Sequence, residues 1–299
     1  MIEQALYEHL ISWASLAAYL TKYNGKPAVF NQEAPPDSDD LWGPGPQYCR
    51  VVFYVDVQGD PERAVGGILA VDIQCKNGDA PPEELEPIVR DAIHGWFFTD
   101  GKFTAEAQWK SSNYFTQPTD EVKGCTIMFD LLAFPFISTG SPDVVKRINE
   151  WTAQFEGIYV INQDQLPASA WRPEGTESAV YWRVVTDTSA TWIPDTFQTI
   201  WRTAQLKGHV FSASFQVMAD LARDLVFQLY TDKRLMKSGE SPIMVNQQNR
   251  VEYGADPLRT GQISVDATYG VLVYHGPDKF LQRFEIEEEG SPVGHDIIE

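Results

Sequence analysis

The chain has 299 residues, of which 43% are hydrophobic and 12% aromatic, with a formal net charge of −19 at pH 7. There are enough apolar residues to fill packed cores, which excludes a disordered chain, and the length suits two domains of about 140 residues. The charge excludes a protein that grips nucleic acid, since phosphate binding relies on Lys and Arg to displace counterions, and no stretch approaches the roughly 20 apolar residues of a membrane span.

Within residues 1–20, Ile2, Leu6, Leu10, Trp13, Ala17 and Leu20 recur at the spacing of an amphipathic helix. Met1-Ile2-Glu3-Gln4 lacks the basic-then-apolar pattern of a signal peptide, so a cytoplasm-like compartment is expected. Asn24-Gly25-Lys26-Pro27 stops the helix and 28–30 reads as a short strand. Residues 33–47 carry Pro35, Pro36, Pro44, Pro46 and Asp37-Ser38-Asp39-Asp40, the composition of an exposed loop. A strand over 48–57 follows. In 66–75, Leu69, Val71, Ile73 and Cys75 alternate with Ala70, Asp72 and Gln74, as in a half-buried antiparallel strand. Pro82, Glu83 and Glu84 open a second helix, whose apolar face is Leu85, Ile88, Val89, Ala92, Ile93 and Trp96. Strands over 108–115 and 123–134 close the unit as a hairpin.

Ser138-Thr139-Gly140-Ser141-Pro142 is small and polar and reads as a domain boundary. Asp143 then caps a helix carrying Val145, Ile148 and Phe155. A short strand over 159–161, a Pro-containing loop over 163–178 and strands over 181–186 and 209–217 follow, with a longer segment, 187–202, between the last two. Leu221, Ala222, Leu225, Val226 and Leu229 predict a helix, and 243–253 with 261–274 a final hairpin. The expected fold is α+β: two similar modules, each an antiparallel sheet with helices on one face, in the order α-β-β-β-α-β-β. The first module is 1–138, the second 139–284, and 285–299 is an acidic, mobile tail.

The two halves share landmarks at an offset of about 131 residues. Val29-Phe30-Asn31-Gln32-Glu33, Trp42 and Tyr48-Cys49-Arg50-Val51-Val52 match Val160-Ile161-Asn162-Gln163-Asp164, Trp171 and Tyr181-Trp182-Arg183-Val184-Val185. Phe98-Thr99-Asp100 likewise matches Tyr230-Thr231-Asp232. This order and spacing imply a duplication.

No catalytic, cofactor-binding or metal-ligating set emerges. Neither Gly43-x-Gly45 nor Gly66-Gly67 leads from a strand into a helix, so neither cradles phosphate. The five histidines stand singly, and Asp37-Ser38-Asp39-Asp40 lacks the Gly and distal Glu of a calcium loop. Cys49, Cys75 and Cys125 have no metal-site spacing and read as reduced, buried small hydrophobes. Of the nine tryptophans, Trp13 and Trp96 fall on expected core faces and Trp42 and Trp171 at equivalent loop positions, which suits packing or partner contact better than a sugar groove.

The helix over Ile2 to Leu20, then Phe30-Asn31-Gln32-Glu33-Ala34-Pro35, then Pro46-Gln47-Tyr48 with Val51 and Val52, resembles the tail terminator family of long-tailed bacteriophages, also called tail-completion or neck proteins. In the second half Gln165-Leu166-Pro167 replaces Ala34-Pro35. Family members are usually single modules, so the doubling is a departure. The resemblance implies a structural virion protein, assembled in the host cytoplasm. It would form a ring at the head–tail junction that caps the tail tube, ends its polymerisation and joins it to the head connector or stopper, while DNA passes through without tight binding. Three two-module chains or six chains would close such a ring. The expected partner-contact residues are Asn31, Gln32, Glu33, Trp42, Asn162, Gln163, Asp164 and Trp171. Asp72, Asp130 and Asp266 sit on non-core strand faces and are candidate lumen acids, which would let DNA slide by like-charge repulsion. The alternatives are another neck or tail adaptor, an acidic DNA mimic that binds a basic host protein, or a cytoplasmic enzyme with a dispersed active site.

Overall fold

A computed structural model of the chain describes residues 2–57, 65–76, 78–101, 103–117, 121–135, 138–161, 166–190, 193, 195–196, 199–235, 242–246, 249–253, 260–272, 284–288 and 291–295. The first half runs α1 (Ile2–Ser12), α2 (Ala14–Ala17), a small hairpin β1–β2 (Lys22–Tyr23 and Lys26–Pro27), β3 (Val29–Asn31), a 3-10 turn (Asp40–Trp42), β4 (Arg50–Val57), β5 (Val65–Lys76), α3 (Pro82–Ile93), β6 (Phe97–Thr99), β7 (Thr104–Gln117) and β8 (Val122–Ala133). The second half runs α4 (Val144–Thr152), β9 (Ile158–Val160), β10 (Ala170–Trp171), β11 (Ser178–Ser189), β12 (Thr199–Ser212), α5 (Phe215–Asp232), β13 (Arg234–Leu235), β14 (Ile243–Val245), β15 (Arg250–Val251) and β16 (Ile263–Leu272), then a hairpin β17–β18 (Phe284–Glu288 and Ser291–His295).

The fold is α+β with two similar modules. The first sheet has the strand order β10-β6-β7-β8-β5-β4-β3 and the second β13-β14-β16-β12-β11-β9. In each, one short strand pairs in parallel with the next long strand, β3 with β4 and β9 with β11, and every other pairing is antiparallel. Helices line one face. Leu6, Leu10, Leu85 and Val89 pack on Phe53, Val71, Ile127 and Phe129 in the first core. Val145, Ile148, Ala222 and Leu225 pack on Trp182, Leu206 and Val265 in the second.

Strand registers superpose rung by rung. Val29 pairs with Val51, and Val51 with Ile73; Val160 pairs with Val180, and Val180 with Val210. Farther along, the rung Phe97–Glu106–Leu132 corresponds to Arg234–Met244–Thr268. Val51 therefore occupies the place of Val180 and not of Val184, so the recurrent Tyr-x-Arg-Val-Val runs are four residues out of step. Likewise Phe98-Thr99 lies in β6, whereas Tyr230-Thr231-Asp232 is the last turn of α5; the counterpart of Phe98 is Leu235.

Several local expectations are corrected. The first helix breaks at Trp13, whose ψ of 99° is extended. The strand expected over 209–217 ends at Ser212: the Ser214 hydroxyl accepts the Val217 N–H and starts α5, leaving Phe215 65% exposed. The tail contributes β17–β18, paired only with each other. Cys49, just before β4, and Cys75, in the neighbouring β5, were expected as thiols and instead form a disulfide, while Cys125 is free and buried.

Candidate functional site

The modules meet along a seam built by the loop between β9 and β11. Flanked by Pro167 and Pro173, this loop holds Ala170 and Trp171 extended, and they add to the outer edge of β6: Ala170 pairs with Phe98 and Trp171 with Phe97. The Thr99 N–H donates to the Ser169 carbonyl at 2.9 Å. Such strand addition satisfies edge groups that would otherwise face water. Beside it lies a third core, in which Phe97, Leu132 and Phe134 of the first module pack on Ile161, Ala179, Tyr181 and Phe211 of the second. Ring centroids are 5.1 Å apart for Phe97–Phe211 and for Phe134–Tyr181, in edge-on geometry. The Tyr181 hydroxyl donates to the Pro135 carbonyl, and burial raises its pKa. Arg172 bonds the Asp91 carboxylate at 3.1 Å and lies over the Trp96 ring.

A cleft of about 580 Å³ opens along this seam, lined by His94, Glu106, Gln108, Arg172, Glu174 and Phe211 among others. Glu106 sits between Phe97 and Leu132 on its rung and is 4% exposed. Its Oε1 accepts the Gln108 amide, its Oε2 has no hydrogen-bond partner among the described residues, and burial pushes its carboxyl up to about 8 against the opposing effect of that hydrogen bond. At neutral pH it is protonated. Burial, Arg90 and Arg172 lower the His94 pKa, and its Nδ1 accepts the Trp109 N–H at 3.1 Å. Among the described residues neither His94 nor Glu106 is bonded to a hydroxyl or thiol nucleophile. Among the described residues no group of His, Cys, Asp and Glu could hold a metal ion, and no helix is long and apolar enough to cross a membrane.

The residues singled out from the sequence scatter. Asn31, Gln32 and Glu33 are exposed at the end of β3, where Gln32 takes a positive φ of 68° and its N–H donates to the Phe53 carbonyl. Trp42, expected at a partner contact, is instead only 4% exposed: it packs on Tyr23 and Phe30, and its Nε1 donates to the Pro36 carbonyl. Trp171 is half-buried at the seam, so the two tryptophans do different work. Asn162, Gln163 and Asp164 lie outside the described residues. Asp72 and Asp130 share the helix-free face of the first sheet and Asp266 lies on that of the second. Asp72 accepts the Thr126 hydroxyl and Asp266 is half-buried. Asp130, expected as an exposed acid, is 6% exposed and paired with Lys110 at 3.0 Å.

The seam residues Phe97, Phe134, Tyr181, Phe211 and Glu106 were not anticipated. One signal was available. Ala179-Val180-Tyr181-Trp182 and Leu131-Leu132 are apolar without alternation, which marks strand ends covered on both faces. The chain matches no protein-family model, no curated protein and no solved structure.

Proposed function

We propose that this chain is a structural virion protein, the subunit of a ring at the head–tail junction that caps the tail tube and joins it to the head connector. The observation that carries the reading is the head-to-tail docking of two modules of one topology, through a loop of one and the sheet edge of the other. A repeated heterologous contact of this kind generates a ring when its rotation closes. Three chains would then supply six modules around a lumen. The net charge of −19 suits a lumen along which DNA slides, with Asp72 and Asp266 as acids on helix-free sheet faces. The test is native mass spectrometry of the purified chain with negative-stain imaging. A three-copy ring with a central hole that binds tail-tube protein is expected. A monomer that fails to bind the tube would overturn the reading and turn attention to the seam cleft, where Glu106 and His94 are the groups an enzyme would use.

A further inference from the structure

Within the chain, the loop that follows the short parallel strand of the second module occupies the β6 edge of the first. Two equivalent surfaces remain. At one end of the chain, the loop that follows β3 carries exposed Glu33, Asp37, Asp40 and Leu41, the last 50% exposed. At the other end, β13, the counterpart of β6 by register, is the terminal strand of its sheet, with no strand on its outer side among the described residues. Its chain direction and its rung with Met244 and Thr268 repeat those of β6, although its neighbour β14 is three residues long where β7 is long.

The side chains at the two edges differ in kind. The occupied edge presents Phe97 and is met by Trp171 and Phe211. The open edge presents Lys233 and Arg234, both exposed, and the loop that would meet it is acidic. An apolar contact suits surfaces that are never apart, whereas a charged one suits surfaces that stay wet until assembly and then attract each other.

We propose that the β13 edge, with Lys233 and Arg234, is the docking site for the 32–47 loop of a second copy of this chain, at the place equivalent to the β6 edge that the 166–177 loop occupies within one. Asp40–Trp42 is a 3-10 turn, so the loop meets this edge through its acidic side chains and not as an added strand. Because Trp42 is already buried in its own module, the intermolecular contact rests on Asp40, Leu41 and Glu33 rather than on an inserted indole. The inference rests on the ring reading above and names the surface that closes it. Lys and Arg on an edge strand can also serve only to repel unwanted strands, and charge reversal separates the two roles.

The experiment compares the full-length chain with a Lys233→Glu/Arg234→Glu variant and with the same variant carrying Glu33→Lys/Asp40→Lys, by native mass spectrometry and sedimentation. The reversal is expected to weaken self-association at least tenfold, and the added reversal on the loop to restore it. The restored form, together with circular dichroism of each variant, guards against misfolding. If rings persist through the first reversal, or the second does not rescue, this contact is wrong and the ring stands. If the unaltered chain does not self-associate, the contact and the ring both fall.

Discussion

At three places where strand registers align the modules, the first and second sheets solve the same packing problem with different residues. Where the first sheet joins Cys49 to Cys75 by a disulfide, the second sets Ser178 opposite Ser212, with both hydroxyls buried and without a hydrogen-bond partner among the described residues. Where the first pairs Phe53 with Val71, the second pairs Trp182 with Gly208. A Cβ on Gly208 would lie 2.6 Å from the Trp182 ring, so the large side chain fills space that the small one leaves. Where the first has Phe97, Glu106 and Leu132 under the seam, the second has Arg234, Met244 and Thr268 at an open edge. The comparison teaches that the topology depends on which face is apolar and on summed volume, not on residue identity. Identity diverges where the surroundings do.

The comparison breaks most severely at Trp182, which is 1% exposed and whose Nε1 donates to the Thr152 hydroxyl at 2.9 Å. Trp182→Ala is expected to cost about 3–5 kcal/mol in urea unfolding, with Phe53→Ala in the same range if the two positions are equivalent. A ten-fold milder loss at Phe53 would mean that the cores do not correspond.

The serine pair gives a gain-of-stability test. Ser178→Cys with Ser212→Cys is expected to form a disulfide under added oxidant, visible as the mass loss of two hydrogen atoms, and to stabilise the second module by about 3 kcal/mol. Three free thiols after oxidation, Cys125 and the two introduced ones, would show that these positions do not face each other as Cys49 and Cys75 do.

At the seam, the raised Glu106 pKa sets the sign of a pH effect. The folded protein holds a proton up to about 8 that the unfolded chain releases near the ordinary 4.5. Stability is therefore greatest at and below that lower value and falls as pH rises toward 8, by at most about 1.4 kcal/mol per pH unit. Glu106→Gln should remove this slope when denaturation midpoints are compared at pH 5, 6.5 and 8.5, whereas Met244→Gln, at the equivalent position, should leave it in place. Smallest of all, Arg172→Ala breaks a half-exposed ion pair with Asp91 and should change the midpoint by less than about 1 kcal/mol.

Much of the fold was legible because its signals are local. Alternation at Leu69, Val71, Ile73 and Cys75 gave β5, and Pro82-Glu83-Glu84 gave the start of α3. The short strands β3 and β9 were legible, but β6, β10 and β13, of two or three residues, were not, and exist because neighbouring strands pair with them. The candidate site depended on those elements, so Trp171 was noticed as a landmark but not as a strand that crosses to the other module, and Glu106 was not noticed at all.

The amino-acid sequence by itself determined that the chain is α+β, because hydrophobic periodicity and helix caps act over a few residues, and its recurring landmarks pointed to a duplication even though two of them are out of step in the fold. Only the tertiary structure decided the register between the copies and the seam that joins them. A slip of four residues keeps every side chain on its own face of the sheet, so the alternation that reveals a strand is blind to where that strand pairs. The contacts that fix the pairing, Phe97 with Phe211 and Trp171 with β6, come from parts of the chain far apart in sequence.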